Sequence, residues 1–469
     1  MKIDQYYLEC LSQASYLIAD ESSGLAAVVD PRRDIDEYVR DARAAGLTIA
    51  YVIETHFHAD FLSGHLELAA ATGAEIIFGD AATPGFPARL VHDGERLTMG
   101  QVELEFLATP GHTPESISVV VRDLSTASGD ERPAPAAVLT GDTLFIGDVG
   151  RPDLLASVGV TAQQLGASLY DSLRDKLMTL PDDTLVYPAH GAGSACGKNL
   201  STETVSTIGE QKRSNYALAP MTSEEFIAVV TADQPSAPAY FPHAVASNKA
   251  DRELLDLAPA PALDLDQAAE QHGRGAVLVD VRDAVAFAGG HLAGSVNVGL
   301  DGRFAEYVGM VVRPDDDVVL LAPSTADADE ARLRMGRIGF DRVIGVVDDV
   351  AGRLAARPEL ARRASRLTAT TMLDRQRDLP DLCIVDIRND GERKLSSIPG
   401  TLHIPMAELP TRVAELDLDR PIVVHCAGGY RSSVAASWLR ARGATDVSDL
   451  LGGIAAWEAL DPAALDTGA

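Results

Sequence analysis

The second half of the chain repeats itself, and this repeat restricts the possible folds more than any other feature of the sequence. Residues 278–282 (LVDVR) recur as 384–388 (IVDIR), and residues 294–298 (GSVNV) recur in the same order as 400–404 (GTLHI). Each copy alternates short apolar runs with segments of helix length. This pattern is typical of α/β units built on a parallel sheet, so the sequence predicts two related α/β domains.

The repeat divides the chain into four segments. We predict a first domain at residues 1–245, a linker at 246–262, and repeat domains at 263–364 and 365–469. Pro/Ala-rich stretches mark the boundary between the first domain and the repeats. Within the first domain, one predicted helix follows the segment 55–61 and is capped near Ser63.

The overall composition excludes several classes of protein. The chain has 469 residues, of which 46% are hydrophobic and 23% charged, and its formal net charge is -29. Such a charge repels nucleic acids and anionic membranes, so we expect neither as a partner. There is no apolar stretch of membrane-spanning length and no apolar export segment near the start, which predicts a cytoplasmic protein. The four cysteines contain no CxxC pair and form no disulfide framework. We also expect a homo-oligomer.

Four predicted strands in the first domain are each followed by histidine or aspartate. The turn THFHADF (55–61) follows an apolar run, and three later runs each end in one His or Asp beside Gly, Pro or Thr. The candidate ligands are His56, His58, Asp60, His112, Asp142 and His190. Imidazole and carboxylate together suit zinc, iron or manganese. Phe61 offers no donor atom where a histidine could help to hold a second metal, which favours one metal with open positions over two-metal hydrolysis.

In this order the motifs HxHxD, His, Asp and His resemble those of the metallo-β-lactamase superfamily. The resemblance covers about the first 245 residues and implies an αββα sandwich. Within the superfamily, residues 55–65, 111–114 (GHTP) and 150–154 (GRPDL) resemble persulfide dioxygenases most.

The resemblance to persulfide dioxygenases implies one Fe²⁺ per chain, held by His56, His112 and Asp142. Two histidines and one carboxylate on one face leave positions where dioxygen and a sulfur ligand can bind together. These enzymes normally have a histidine where this chain has Phe61. That histidine is not an iron ligand in them, so the departure weakens the case for a two-metal hydrolase more than the case for one iron. Zinc is the alternative cation.

The remaining polar residues of these turns have two interpretations each. We expect His58, Asp60 and His190 to orient ligands or substrate, with direct ligation as the alternative. Arg151 is either a contact for an anionic persulfide or a partner in a structural salt bridge. Cys196, in a glycine-rich loop, is either buried filler or a thiol that accepts sulfane sulfur.

The second repeat carries a cysteine loop between a buried strand and a helix. Cys426 lies where backbone N–H groups and a helix N-terminus stabilise a thiolate and the sulfur that it accepts. The loop resembles the rhodanese motif CxxGxR, which implies that Cys426 is the sulfur acceptor and Arg431 an anion contact. The other residues of the predicted loop are Ala427, Gly428, Gly429, Tyr430 and Ser432.

The first repeat lacks this chemistry at the corresponding loop. Ala322 stands where the second repeat has Cys426, and Asp327 stands where it has Arg431. A loop with no nucleophile and an inverted charge predicts a catalytically silent domain.

The chain as a whole resembles persulfide dioxygenase–rhodanese fusions. This resemblance implies oxidation of a low-molecular-weight thiol persulfide by O₂ to sulfite and thiol, with sulfur transfer through Cys426 giving thiosulfate. One alternative is a dinuclear zinc thioester hydrolase of the glyoxalase II type fused to a sulfurtransferase. The other is a sulfur carrier without oxygenase activity.

Overall fold

The computed structural model describes residues 1–127, 131–154 and 159–460. The chain divides into two compact units. The first comprises Met1–Gln234 with Phe241–Leu255, and the second Pro235–Tyr240 with the chain from Asp256 onward. None of the helices in the described ranges is long and apolar enough to span a bilayer.

The first unit contains two six-stranded sheets. The strands of the first sheet are β1 (Lys2–Leu8), β2 (Gln13–Asp20), β3 (Leu25–Val29), β4 (Thr48–Ile53), β5 (Glu75–Gly79) and β6 (Arg89–Val91). They lie in sequence order, antiparallel from β1 to β3 and parallel from β3 to β6. The strands of the second sheet are β7 (Arg96–Met99), β8 (Val102–Ala108), β9 (Ile117–Asp123), β10 (Ala137–Gly141), β11 (Leu185–Pro188) and β12 (Ser206–Thr207). Only its β10–β11 pair is parallel.

Helices cover the outer faces of both sheets. The helices of this unit are α1 (Asp36–Ala44), α2 (His65–Thr72), α3 (Ala162–Asp171), α4 (Ile208–Ser214), α5 (Ser223–Thr231) and α6 (Phe241–Lys249). Tyr38 of α1 packs with Val28 and Val52 of the first sheet. Leu169 of α3 and Phe226 of α5 pack on the second sheet. A third apolar layer lies between the two sheets. The predicted αββα sandwich is confirmed.

The helix that follows the motif turn begins later than predicted. Gly64, not Ser63, occupies its N-cap, and no side chain caps it. A Cβ atom on Gly64 would lie only 2.0 Å from the carbonyl oxygen of Arg32. This close backbone approach requires glycine at position 64. The N-cap therefore lies one residue after Ser63, near the predicted position but without a side-chain cap.

The second unit contains two parallel sheets with the same strand order. The strands of the first repeat are β13 (Val277–Asp280), β14 (His291–Leu292), β15 (Val296–Asn297), β16 (Val318–Leu321) and β17 (Val343–Val347), with β18 (Ala361–Arg362) pairing β14. Those of the second are β19 (Ser365–Leu367), β20 (Cys383–Asp386), β21 (Leu402–His403), β22 (Ile422–His425) and β23 (Val447–Leu450). The order in the first sheet is β15–β13–β16–β17, and in the second β21–β20–β22–β23, with β19 added at the far edge. The predicted parallel α/β architecture is confirmed.

Both repeats alternate these strands with helices. The helices of the first are α7 (Leu265–Gly273), α8 (Ala284–Gly289), α9 (Phe304–Val311), α10 (Thr325–Gly336) and α11 (Val350–Ala356). Those of the second are α12 (Ala369–Asp378), α13 (Asp390–Leu395), α14 (Leu409–Arg412), α15 (Tyr430–Ala441) and α16 (Gly453–Leu460). The end of the second predicted repeat, 461–469, lies outside the described residues.

Candidate metal centre and sulfur-transfer loop

Three predicted ligands converge at one edge of the sandwich. His56 lies in the turn after β4, His112 in the turn between β8 and β9, and Asp142 directly after β10. Nε2 of His112 and Nε2 of His56 lie 3.4 and 3.9 Å from Oδ2 of Asp142. All three side chains are buried, and their candidate ligand atoms lie within 4.8 Å of one another.

Hydrogen bonds to neighbouring groups direct the free lone pairs of the three residues to a common point. Thr55 donates its hydroxyl hydrogen to Asp30 (2.9 Å), so its oxygen can accept from Nδ1 of His56, also at 2.9 Å. Nδ1 of His112 donates to the carbonyl oxygen of Arg151 at 2.9 Å. Both imidazoles therefore present an unprotonated Nε2 to the centre.

The atoms that face the centre have the character of metal ligands. Nε2 of His56 and Oδ2 of Asp142 are buried and have no hydrogen-bond partner among the described residues. Burial lowers the pKa of His56 well below its ordinary value and also lowers the pKa of His112. Burial alone raises the pKa of Asp142, but His190 and the other two histidines together hold this pKa well below its ordinary value. Two neutral imidazoles and one carboxylate fit a divalent cation.

His190 lies behind the centre, between two carboxylates. Its Nδ1 donates to Oδ1 of Asp142 at 2.7 Å, and its Nε2 lies 2.8 Å from Oδ2 of Asp60. Burial alone lowers the pKa of His190, but these two carboxylates hold it well above its ordinary value. In this arrangement His190 joins the carboxylates of Asp142 and Asp60, and its role as a supporting residue rather than a ligand stays a prediction.

The His58 ring lies beside the His56 ring, with centroids 4.0 Å apart, and one of its nitrogens lies within 4.8 Å of candidate ligand atoms of Asp60 and His190. Its Nε2 lies 3.2 Å from Oδ1 of Asp30 and 3.7 Å from Oε2 of Glu54. The Phe61 ring packs on the His58 ring with their centroids 4.4 Å apart. Asn248 of α6 donates to the backbone carbonyl oxygens of both residues at 2.8 Å.

Sequence analysis missed several residues that hold these turns in place. Asp30 ends β3 as Asp142 ends β10, so its strand-end position was a usable signal. Glu54 directly precedes the motif segment 55–61. Asn248 could not have been found, because only tertiary packing brings it to the turn.

Arg151 and Cys196 lie beside each other next to the centre. Arg151 makes two 2.7 Å hydrogen bonds to the carboxylate of Asp153, and a third contact joins its guanidinium to the carbonyl oxygen of Ala195. This geometry favours the salt-bridge interpretation of Arg151. Cys196 lies within 4.8 Å of ligand atoms of Asp142 and His190, and burial raises the pKa of its thiol well above the ordinary value.

The Cys426 loop connects β22 to the 12-residue helix α15. Cys426 is buried, and its Sγ accepts a hydrogen bond from the backbone N–H of Gly429 at 3.1 Å. Gly429 has a φ of 104°, a conformation that favours glycine and aims this N–H at the sulfur. The Ser432 hydroxyl lies 3.5 Å from the same sulfur.

The two residues after Gly429 contact other parts of the second unit. Both terminal nitrogens of Arg431 donate to Glu392 of α13, at 2.7 and 2.6 Å. The Tyr430 hydroxyl donates to the carbonyl oxygen of Gly299 in the first repeat at 2.7 Å. The predicted anion contact of Arg431 therefore has a carboxylate partner already, which sequence analysis missed.

The corresponding loop of the first repeat forms a plain helix cap. Ala322 directly follows β16, and Ser324 caps α10 by accepting from the backbone N–H of Asp327 at 3.2 Å. The Ser324 hydroxyl donates to the Asp327 carboxylate at 2.6 Å. The catalytic silence of this repeat stays a prediction.

Comparison with known proteins assigns both halves of the chain to families. The Metallo-beta-lactamase superfamily profile matches residues 8–190, and the Rhodanese-like domain profile matches residues 264–349 and 368–460. The mitochondrial persulfide dioxygenase ETHE1 of Homo sapiens is 32% identical over 221 residues, which cover 46% of this chain and 75% of that protein.

Two further proteins are similar to this chain. A hydroxyacylglutathione hydrolase of Rhodospirillum rubrum is 35% identical over 178 residues, which cover 37% of this chain and 60% of that protein. The crystal structure of a metallo-beta-lactamase from Staphylococcus aureus subsp. aureus COL superposes with a TM-score of 0.66 at 32% identity, covering 74% of this chain and 98% of that one. The chain therefore belongs to the metallo-beta-lactamase superfamily, with persulfide dioxygenase homology in that domain, and continues in two rhodanese-like domains.

Proposed function

We propose that the chain oxidises a low-molecular-weight thiol persulfide with O₂ and transfers sulfane sulfur through Cys426. The observation that carries this proposal is the convergence of candidate ligand atoms from His56, His112 and Asp142, two of them buried without a hydrogen-bond partner among the described residues, together with a phenylalanine at position 61 that cannot ligate a second metal. The homology to persulfide dioxygenases supports it. The net oxidation is RSSH + O₂ + H₂O → RSH + SO₃²⁻ + 2H⁺, which balances in atoms and charge.

The metal that these residues would hold is Fe²⁺, with zinc as the alternative cation. Iron in this site would supply open positions for dioxygen and the persulfide sulfur and would exchange electrons between them. Thr55 and the carbonyl oxygen of Arg151 keep the two imidazoles in the ligating tautomer. His190 holds a proton on the side of Asp142 away from the centre, so the carboxylate stays ionised.

The second reaction takes place at Cys426. Its thiolate attacks the sulfane sulfur of a donor, the S–S bond of the donor breaks, and a cysteine persulfide remains. Sulfite then attacks the outer sulfur, the cysteine persulfide S–S bond breaks, thiosulfate leaves, and the thiolate is restored. The N–H of Gly429 and the N-terminus of α15 stabilise the sulfur anion at both stages.

Oxygen uptake by iron-loaded protein with a panel of thiol persulfides tests the proposal. We expect uptake with at least one persulfide and sulfite as its product. Cys426→Ser should leave oxygen uptake intact and abolish thiosulfate formation from persulfide and sulfite. Loss of both activities would favour the sulfur carrier instead.

The hydrolase is the second candidate, because the similarity to hydroxyacylglutathione hydrolase favours it. It requires two metal ions with a bridging hydroxide, and Phe61 removes a donor for the second ion. Two zinc ions per chain together with thioester hydrolysis and no oxygen uptake would establish it. The domain boundaries, the cytoplasmic location and the homo-oligomeric state remain predictions from the sequence.

A further inference from the structure

The charge of Arg431 is neutralised inside the sulfur-transfer site. Its two terminal nitrogens form a bidentate pair with Glu392, and the side chains are only 17% and 33% exposed. Paired, planar hydrogen bonds of this kind are among the strongest that an arginine makes. An incoming anion therefore meets an arginine that already holds a carboxylate.

The first repeat contributes an aromatic ring and an arginine–glutamate pair on the other side of the loop. The Tyr307 ring of α9 contacts the Tyr430 ring with their centroids 5.2 Å apart. Next to Tyr307, the guanidinium of Arg303 pairs with the carboxylate of Glu306. Of the described residues, both arginines that flank the loop on these two sides are thus paired with glutamates.

We propose that Glu392 determines the donor specificity of Cys426 by withholding Arg431 from dianionic donors. This inference rests on the proposed sulfur transfer at Cys426. A persulfide or thiosulfonate brings one negative charge, which the N–H of Gly429 and the N-terminus of α15 can receive. Thiosulfate brings two, and its sulfonate group must displace Glu392 before it can contact Arg431. The site therefore favours monoanionic donors and holds thiosulfate weakly.

The step that discriminates is the formation of the cysteine persulfide. With methanethiosulfonate, the Cys426 thiolate attacks the sulfane sulfur, the S–S bond breaks, and methanesulfinate leaves. With thiosulfate, the same bond forms and sulfite leaves. Cyanide then takes the outer sulfur as thiocyanate in both reactions, so the two donors differ only in charge and in the leaving group.

Glu392→Gln tests the inference in the full-length chain. Gln keeps the size of the side chain and can still accept the backbone N–H of Asn389, as Glu392 does at 3.0 Å. We expect the KM for thiosulfate to fall roughly three- to tenfold, a modest effect because the pair is partly solvated. The KM for methanethiosulfonate and the kcat values for both donors should stay within about twofold of those of the unmodified protein. High salt should reduce the difference in thiosulfate KM between the unmodified protein and Glu392→Gln. Glu415→Gln is the matched control, because Glu415 also forms a bidentate pair with an arginine, Arg412, in the same repeat.

Each outcome of these measurements supports the inference or overturns it. An unchanged thiosulfate KM, or an equal change for both donors, would overturn it. If Glu392→Gln fails to fold, the KM values of the unmodified protein test the inference. Its KM for thiosulfate should be at least about three times its KM for methanethiosulfonate. An equal or lower value for thiosulfate would contradict the inference. Mass spectrometry of Cys426 after exposure to methanethiosulfonate tests the proposed sulfur transfer separately from the donor specificity. If no sulfur is added to Cys426, the transfer itself is absent.

Discussion

The threonine before the first ligand offers the sharpest test of how the metal centre is built. Thr55→Val removes one hydroxyl from a fully buried position and keeps the side-chain shape. The hydroxyl donates to the Asp30 carboxylate at 2.9 Å and lies 2.9 Å from Nδ1 of His56. The variant therefore loses two hydrogen bonds and leaves Nδ1 of His56 without this partner.

The cost of these losses follows from the type of each bond. A hydrogen bond to a charged group contributes about 1.5–3 kcal/mol and a neutral one about 0.5–1.5 kcal/mol, so the free energy of unfolding should fall by about 2–4.5 kcal/mol. Because the tautomer of His56 is no longer fixed, we expect metal affinity to fall roughly 10- to 100-fold. Anaerobic titration of metal-free protein with Fe²⁺ against a competing chelator measures the affinity, and denaturant unfolding measures the stability.

Thr184→Val is the matched control for this experiment. The Thr184 hydroxyl is buried but has no hydrogen-bond partner among the residues that the structure describes. Its removal should leave iron affinity unchanged and should not reduce stability. Equal iron affinity for the two variants would refute the link from Asp30 through Thr55 to His56.

Three further changes test other parts of the molecule. Cys426→Ser should retain persulfide-dependent oxygen uptake and lose thiosulfate formation; joint loss would contradict two separate reactions. Phe61→His should raise bound zinc from about one toward about two ions per chain, because it adds an imidazole next to His58, which clusters with Asp60 and His190; unchanged zinc content would argue against Phe61 as the excluding residue. Burial lowers the pKa of His425 to about 4, so the unfolded chain binds the proton more tightly and stability falls as pH drops below about 6.5. His425 should contribute about 2 kcal/mol to the stability lost between pH 7.5 and 5, so the loss measured by denaturant unfolding at the two pH values should be smaller by about that amount in His425→Leu.

The position of the candidate metal site was largely predictable, because the residues that form it follow strands. Strand ends can be read from apolar runs, and the strand order of the sandwich brings His56, His112 and Asp142 to one edge. The orientation of His58 was not predictable in the same way. It depends on Glu54 and Asp30, which come from two different strand ends and meet His58 only after the sheet forms. Likewise, the start of α2 at Gly64 depends on a contact with the backbone of Arg32.

The two repeats show why the absence of a reactive thiol is easier to predict than the charges that surround one. Leu321 and His425 occupy the same position opposite the aspartates that end β13 and β20. One residue further on, Ala322 stands in register with Cys426, so aligning the copies is enough to show that the thiol is missing. Alignment of the two repeats does not identify Glu392 as the partner of Arg431. Glu392 lies 39 residues before Arg431 and reaches it only because α13 packs beside the loop. The presence of a candidate nucleophile can therefore be predicted from the local sequence. The charge that an incoming donor meets depends instead on how helices distant in the sequence pack beside the loop.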